Sequence, residues 1–162
     1  MAENRTRDII KLAISIVICQ GAGVIGSLFT RSSIPTWYAT IEKPSFTPPN
    51  WVFTPVWITL FGLMGISLFI IWRRGLAEKK IGKALGIFGV QLILNILWSA
   101  LFFGLRSPLA GLIDIAVLWI AIALTCFYFY MISKAAGVLL APYLVWASFA
   151  VVLNASIWRL NP

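Results

Sequence analysis

Apolar residues fill five long stretches of this 162-residue chain, 9–29, 53–72, 84–105, 109–130 and 138–158, and most charged residues fall between them or at their edges. Each stretch holds about 20 residues, which as an α-helix rising about 1.5 Å per residue crosses a hydrocarbon core of roughly 30 Å. The pattern predicts an all-α integral membrane protein, a single five-transmembrane-helix bundle over residues 1–162. All connections are short except the first, and no soluble domain, linker, tandem repeat or low-complexity segment intervenes. The first stretch reads as a retained helix, because its apolar run exceeds the roughly 7–15 residues of a signal-peptide core and Phe29-Thr30-Arg31 offers no small-residue cleavage site.

Composition supports this reading. With 60% apolar residues, 11% charged residues and a mean hydropathy of +0.94, the chain is far from a soluble domain, where about a quarter of the residues carry charge. The net charge of +8 has an explanation in topology. Arg5, Arg7, Lys11, Arg73, Arg74, Lys79, Lys80, Lys83 and Lys134 fall on the side of the N-terminus, and only Arg31, Lys43, Arg106 and Arg159 fall opposite. By the positive-inside rule this predicts a cytoplasmic N-terminus, with the first loop and the C-terminus on the outer face. No basic stripe with interleaved aromatics lies outside the spans, so nucleic acid is not an expected partner.

The chain has no histidine, which removes the commonest haem and zinc ligand and argues against imidazole-based proton transfer. Cys19 and Cys126 both fall inside predicted helices and read as small packing residues, with no disulfide framework or metal-ligand spacing. No catalytic or metal residues are expected, and no cofactor.

The first loop, Trp37 to Trp57, is unusual in carrying Pro44, Pro48, Pro49 and Pro55 among Trp37, Tyr38, Phe46 and Trp51. Each proline fixes its own φ and biases the preceding residue toward extended backbone, so the aromatics are held in few orientations and the loop is expected to form an ordered lid. Inside the spans, Gln91, Asn95 and Trp98 sit at i, i+4 and i+7 and share one helix face. That face either lines a cavity or bonds neighbouring helices, and spacing alone favours neither. Tyr143, Trp146, Ala150 and Asn154 trace a second stripe, with Pro142 expected to kink its start. Asp114, the one acidic residue well within a span, is expected to bond a donor from the adjoining loop, such as Arg106 or the lid. Trp72, Tyr128, Tyr130 and Trp158 lie near span ends, where aromatic belts form without any ligand. Ala22 with Gly26 and Gly82 with Gly86 are small-residue pairs suited to close helix packing, within the bundle or in a homodimer.

Three motifs in order carry a family resemblance. The loop core Lys43-Pro44-Ser45-Phe46-Thr47-Pro48-Pro49, followed by Trp51 and Trp57, resembles the first loop of the TspO/MBR family, the tryptophan-rich sensory proteins and peripheral benzodiazepine-type receptors. Gln91-Leu92-Ile93-Leu94-Asn95-Ile96-Leu97-Trp98 with Leu101-Phe102-Phe103-Gly104 is similar to its third helix, and Pro142-Tyr143-Leu144-Val145-Trp146 through Leu153-Asn154 and Trp158-Arg159-Leu160-Asn161 to its fifth. The resemblance implies a cavity for flat hydrophobic molecules: porphyrins such as protoporphyrin IX and, in animal members, cholesterol and benzodiazepine-site drugs. Carried over by position, the ligand residues are Trp51, Trp57, Asn95, Trp98, Trp146 and Ala150, to which the aromatic lid adds Phe46 and the shared helix face adds Gln91. Indole faces stack on a planar macrocycle and amides orient its polar edge. The cholesterol-recognition pattern of animal members needs a tyrosine where Ala155 stands here, which favours a tetrapyrrole over a sterol.

The expected function is thus a membrane receptor or transporter-like protein binding tetrapyrroles in a Trp-lined cavity beneath the lid. One alternative is an enzyme degrading porphyrin in light and oxygen, which would need only bound porphyrin and oxidisable indoles such as Trp57 and Trp146. Another is a sterol or lipid transporter. A channel or secondary transporter is a further alternative, with less behind it, since the spans show no inverted repeat, acidic ring or broken helix pair.

Overall fold

Each of the five apolar stretches folds as a helix, or a helix pair, long enough to cross a bilayer. The computed structural model describes residues 2–162, with side chains from residue 5 onward. In chain order the elements are α1 (Ala2–Ser33), a short α2 (Trp37–Thr40) in the first loop, α3 (Asn50–Trp72), α4 (Lys79–Ser99) prolonged by a π-helical turn (Ala100–Gly104), α5 (Pro108–Ile132), α6 (Lys134–Leu139) and α7 (Ala141–Leu160). No strand occurs among the described residues. The protein is an all-α, multi-pass integral membrane bundle, and its many outward-facing Ile, Val and Leu side chains, such as Val17, Leu28 and Ile93, are what lipid contact requires.

Local sequence explains two of the helix boundaries. Ser107 caps α5, its hydroxyl accepting from Ala110 N at 3.2 Å, with Pro108 in the first turn, where a missing N–H costs nothing. The fifth span is broken into α6 and α7 at Leu140, two residues before Pro142. Pro142 cannot donate to the preceding turn and its ring crowds that turn's carbonyl, so the expected kink becomes a break. Pro55 lies inside α3, which stays continuous, and removes the bond that would tie its own turn to Trp51. The π turn lies between Trp98 and the left-handed Arg106 (φ 54°), where Leu105 N donates to Ala100 O at 2.8 Å.

In the bundle α1 packs between α3 and α4, α5 between α4 and α7, and α6 folds against α3 and α5. Glycine lets α1 and α3 touch: a Cβ on Gly65 would stand 2.8 Å from Ile16 Cα, and one on Gly23 would stand 2.6 Å from the Phe61 ring. Of the two small-residue pairs, Ala22 and Gly26 are used inside the bundle, with Gly26 facing Ser99, and Gly82 and Gly86 have nothing within 4 Å of a notional Cβ. Asp114 departs from expectation. It is buried on the inward stripe of α5 with Gly111 and Leu118, its Oδ2 has no partner, and Arg106 turns to the surface instead of reaching it.

Candidate functional site

Toward the lid the helices separate around a cavity of about 340 Å³. The backbones of α3 and α7 do not pack closely there; aromatic side chains bridge them, Phe53 edge-on to Trp146 at 5.9 Å and Trp57 edge-on to Tyr143 at 6.3 Å. Trp57 also stacks on Phe61, with centroids 5.5 Å apart. From α4, Trp98 stacks on Phe102 at 5.4 Å, and its indole Nε1 donates to Asn154 Oδ1 at 3.1 Å. Asn154 in turn donates from Nδ2 to Pro108 O at 2.8 Å, so one amide ties α7 to both α4 and the start of α5. The π turn narrows the angle between successive side chains, and consecutive Phe102 and Phe103 are both buried, 4.9 Å apart, in the cavity wall.

Asn95 stands at the floor. Its Nδ2 donates to the Tyr143 hydroxyl at 2.8 Å, joining α4 to α7, and its Oδ1 takes no hydrogen bond among the described residues. One amide therefore does both things that spacing left open: it bonds a neighbouring helix and faces the cavity. The indole N–H groups of Trp57 and Trp146, both cavity-lining, also have no partner among the described residues. The site thus offers flat aromatic faces with a few unpaired polar groups, among them the two indole donors and the Asn95 acceptor, the sparse polar content typical of small-molecule sites of about 300–1,000 Å³.

The lid is stitched down over this end. The Asn161 side chain accepts from Glu42 N at 3.0 Å and donates to Glu42 O at 2.9 Å. Ser33 Oγ donates to Phe103 O at 2.7 Å. Tyr38 from α2 is buried against Phe102 and Phe103, burial raises its hydroxyl pKa above the usual value, and Lys43 Nζ lies 4.9 Å over its ring. An uncharged phenol ring under an ammonium group is a favourable cation–π pair.

Of the residues singled out from sequence, the structure brings Trp57, Asn95, Trp98, Trp146 and Ala150 together around the cavity. Three do not join them. Trp51 is 73% exposed at the lid end of α3, where an indole suits the membrane interface. Phe46 is half exposed and rests edge-on against Phe149, which itself lines the cavity. Gln91, one turn beyond Asn95, is 1% exposed in the packed part of the bundle, and neither amide heteroatom has a partner. Sequence reading missed the wall contributed by α1. Gln20, Gly23, Ser27, Thr30 and Ile34 line the cavity at steps of three and four, and the recurrence of small and polar residues in a lipid-facing helix was the signal.

A five-span helical bundle that encloses an aromatic-walled cavity of small-molecule size under a latched loop is the class of protein these features define. The chain belongs to the TspO/MBR family, whose pattern matches residues 15–159. It is 52% identical over 154 residues to the Tryptophan-rich protein TspO of Archaeoglobus fulgidus, covering 95% of this chain and 99% of that one. It is 46% identical over 156 residues to the Tryptophan-rich protein TspO of Chlorobaculum tepidum, covering 96% and 99%. With the Translocator protein of Homo sapiens it shares 40% identity over 139 residues, covering 85% and 82%.

Proposed function

We propose that the protein is a membrane receptor or transporter-like binder of flat hydrophobic molecules, with tetrapyrroles such as protoporphyrin IX as the ligand class. The observation that carries the reading is the set of three indoles, Trp57, Trp98 and Trp146, around one cavity in which Asn95 Oδ1 remains unpaired. Indole rings stack on a planar macrocycle, the free indole N–H groups suit carboxylate or carbonyl oxygens, and the amide oxygen suits a pyrrole N–H. Relatives named as a translocator protein and a tryptophan-rich sensory protein are in keeping with a role in handling or sensing a ligand. In this reading the N-terminus is cytoplasmic and the lid lies on the outer face, as the distribution of Lys and Arg favours.

Protoporphyrin IX titrated into the purified protein should quench its tryptophan fluorescence saturably, and replacing Trp57 and Trp146 together by Phe should weaken binding. Non-saturable quenching, equal to that of an unrelated five-span protein, would reject the reading.

A further inference from the structure

Five cavity-lining residues are also exposed on the outside of the bundle: Val24 (62%) and Ser27 on α1, and Asn50, Thr54 and Ile58 (57%) on α3. A side chain that touches both the interior and the surrounding lipid marks an opening in the wall. Among the described residues, the hydrogen bond and close glycine approaches that join the two helices lie on the side away from the lid, where Gly65 meets the Ile16 backbone, Gly23 meets the Phe61 ring and Gln20 Nε2 donates to Ile58 O at 2.9 Å. Beyond that clamp, no hydrogen bond or ring contact joins residues 24–34 to residues 50–57 among the described residues.

The α3 side of the opening is also built to move. Pro55 removes the bond between its turn and Trp51, and Thr59 Oγ1 donates back to Pro55 O at 2.9 Å, a pattern that bends helices. The turn Asn50–Thr54 is therefore weakly attached to the rest of α3. By contrast, the lid is held by the paired Asn161–Glu42 bonds, by Phe46 on Phe149 and by buried Tyr38.

We infer that ligand reaches the cavity sideways, sliding edge-on between α1 and α3 from the lid-side half of the bilayer, while the lid stays latched. A flat apolar molecule concentrates in the membrane, and this route never exposes it to water. The exposed hydroxyls of Ser27 and Thr54 flank the passage, and the Gln20–Ile58 bond forms its sill. The inference rests on the ligand-binding reading above.

The test delivers protoporphyrin IX from donor vesicles to the protein in liposomes and follows tryptophan quenching by stopped flow. Ser27→Phe with Thr54→Phe should slow uptake and release together by about tenfold, and Asn161→Ala should leave uptake within about twofold. If the Phe pair does not fold, Val24→Phe, on a side chain already facing lipid, carries the same expectation. Unchanged rates with the seam blocked, or a large acceleration in Asn161→Ala, would overturn the sideways route while leaving binding intact. No saturable quenching in the unmodified protein would overturn the binding reading and the route with it.

Discussion

The lid-side and far halves of the bundle are built from the same helices to opposite ends. In the far half, Gly65 lets α1 and α3 meet backbone to backbone, Phe88 stacks on Phe129 at 5.6 Å with planes 9° apart, and Met64 and Ile71 have no accessible surface. In the lid-side half the helices diverge, aromatic rings span the gaps, and polar side chains either tie elements together or face the cavity. The far half even tolerates polar groups without partners, Ser15 Oγ and both amide atoms of Gln91. Asp114 is the lid-side exception. A polar residue in this bundle therefore takes its meaning from its depth, because the same helix face is a packing surface at one level and a cavity wall at another.

Four substitutions would break or sharpen that contrast. The largest effect is expected from Gly65→Leu, which drives a side chain into the Ile16 backbone and should cost more than about 3 kcal/mol, lowering the melting temperature in detergent by about 6–12 °C. Unaltered melting would mean that the far half is not tightly packed. Next is Asn95→Leu, which leaves the Tyr143 hydroxyl buried without a partner, at a cost of about 1–3 kcal/mol. Adding Tyr143→Phe removes both partners and should restore most of that stability without restoring porphyrin affinity. Recovery of both would remove Asn95 from the site.

Gln91→Leu should raise stability by about 1–2 kcal/mol, since it deletes two unpaired polar atoms from an apolar setting, with no change in ligand affinity. A lowered melting temperature would show that Gln91 has a partner after all. The smallest stability effect is expected at the cavity wall. Ala150→Leu projects into empty space and should shift stability by less than about 1 kcal/mol while weakening porphyrin binding about tenfold. Titration and thermal melting of the same preparation separate the two, and a large stability loss would show the cavity to be narrower than described.

Much of this was readable in advance, for a physical reason. A bilayer forces spanning segments to be helical, so five apolar runs fix five spans, and the periodicity of Gln91, Asn95 and Trp98 fixes the face they share. Periodicity does not encode where neighbouring helices separate. Gln91 and Asn95 are one turn apart on one face, yet only Asn95 reaches the cavity, because the bundle opens between them. The proline-rich loop was legible as stiff, but its fastening to Asn161 joins residues 119 positions apart, and no local pattern announces such a contact. Trp51 was misplaced for a related reason: α3 begins at Asn50, so the indole belongs to a helix end in the interface and not to the lid.

The π turn after Ser99 has a consequence for phase. Between Ala100 and Gly104 the chain carries one residue more than an α-helix of the same length would need, so everything after it is rotated relative to the helix before it. Deleting a single residue there would let the helix close as a regular spiral while swinging the Phe102–Phe103 pair, the Ser33 anchor on Phe103 and the Ser107 cap to new azimuths. A one-residue gap at this place in a relative would thus signal a differently shaped roof over the cavity, even where every wall tryptophan is kept.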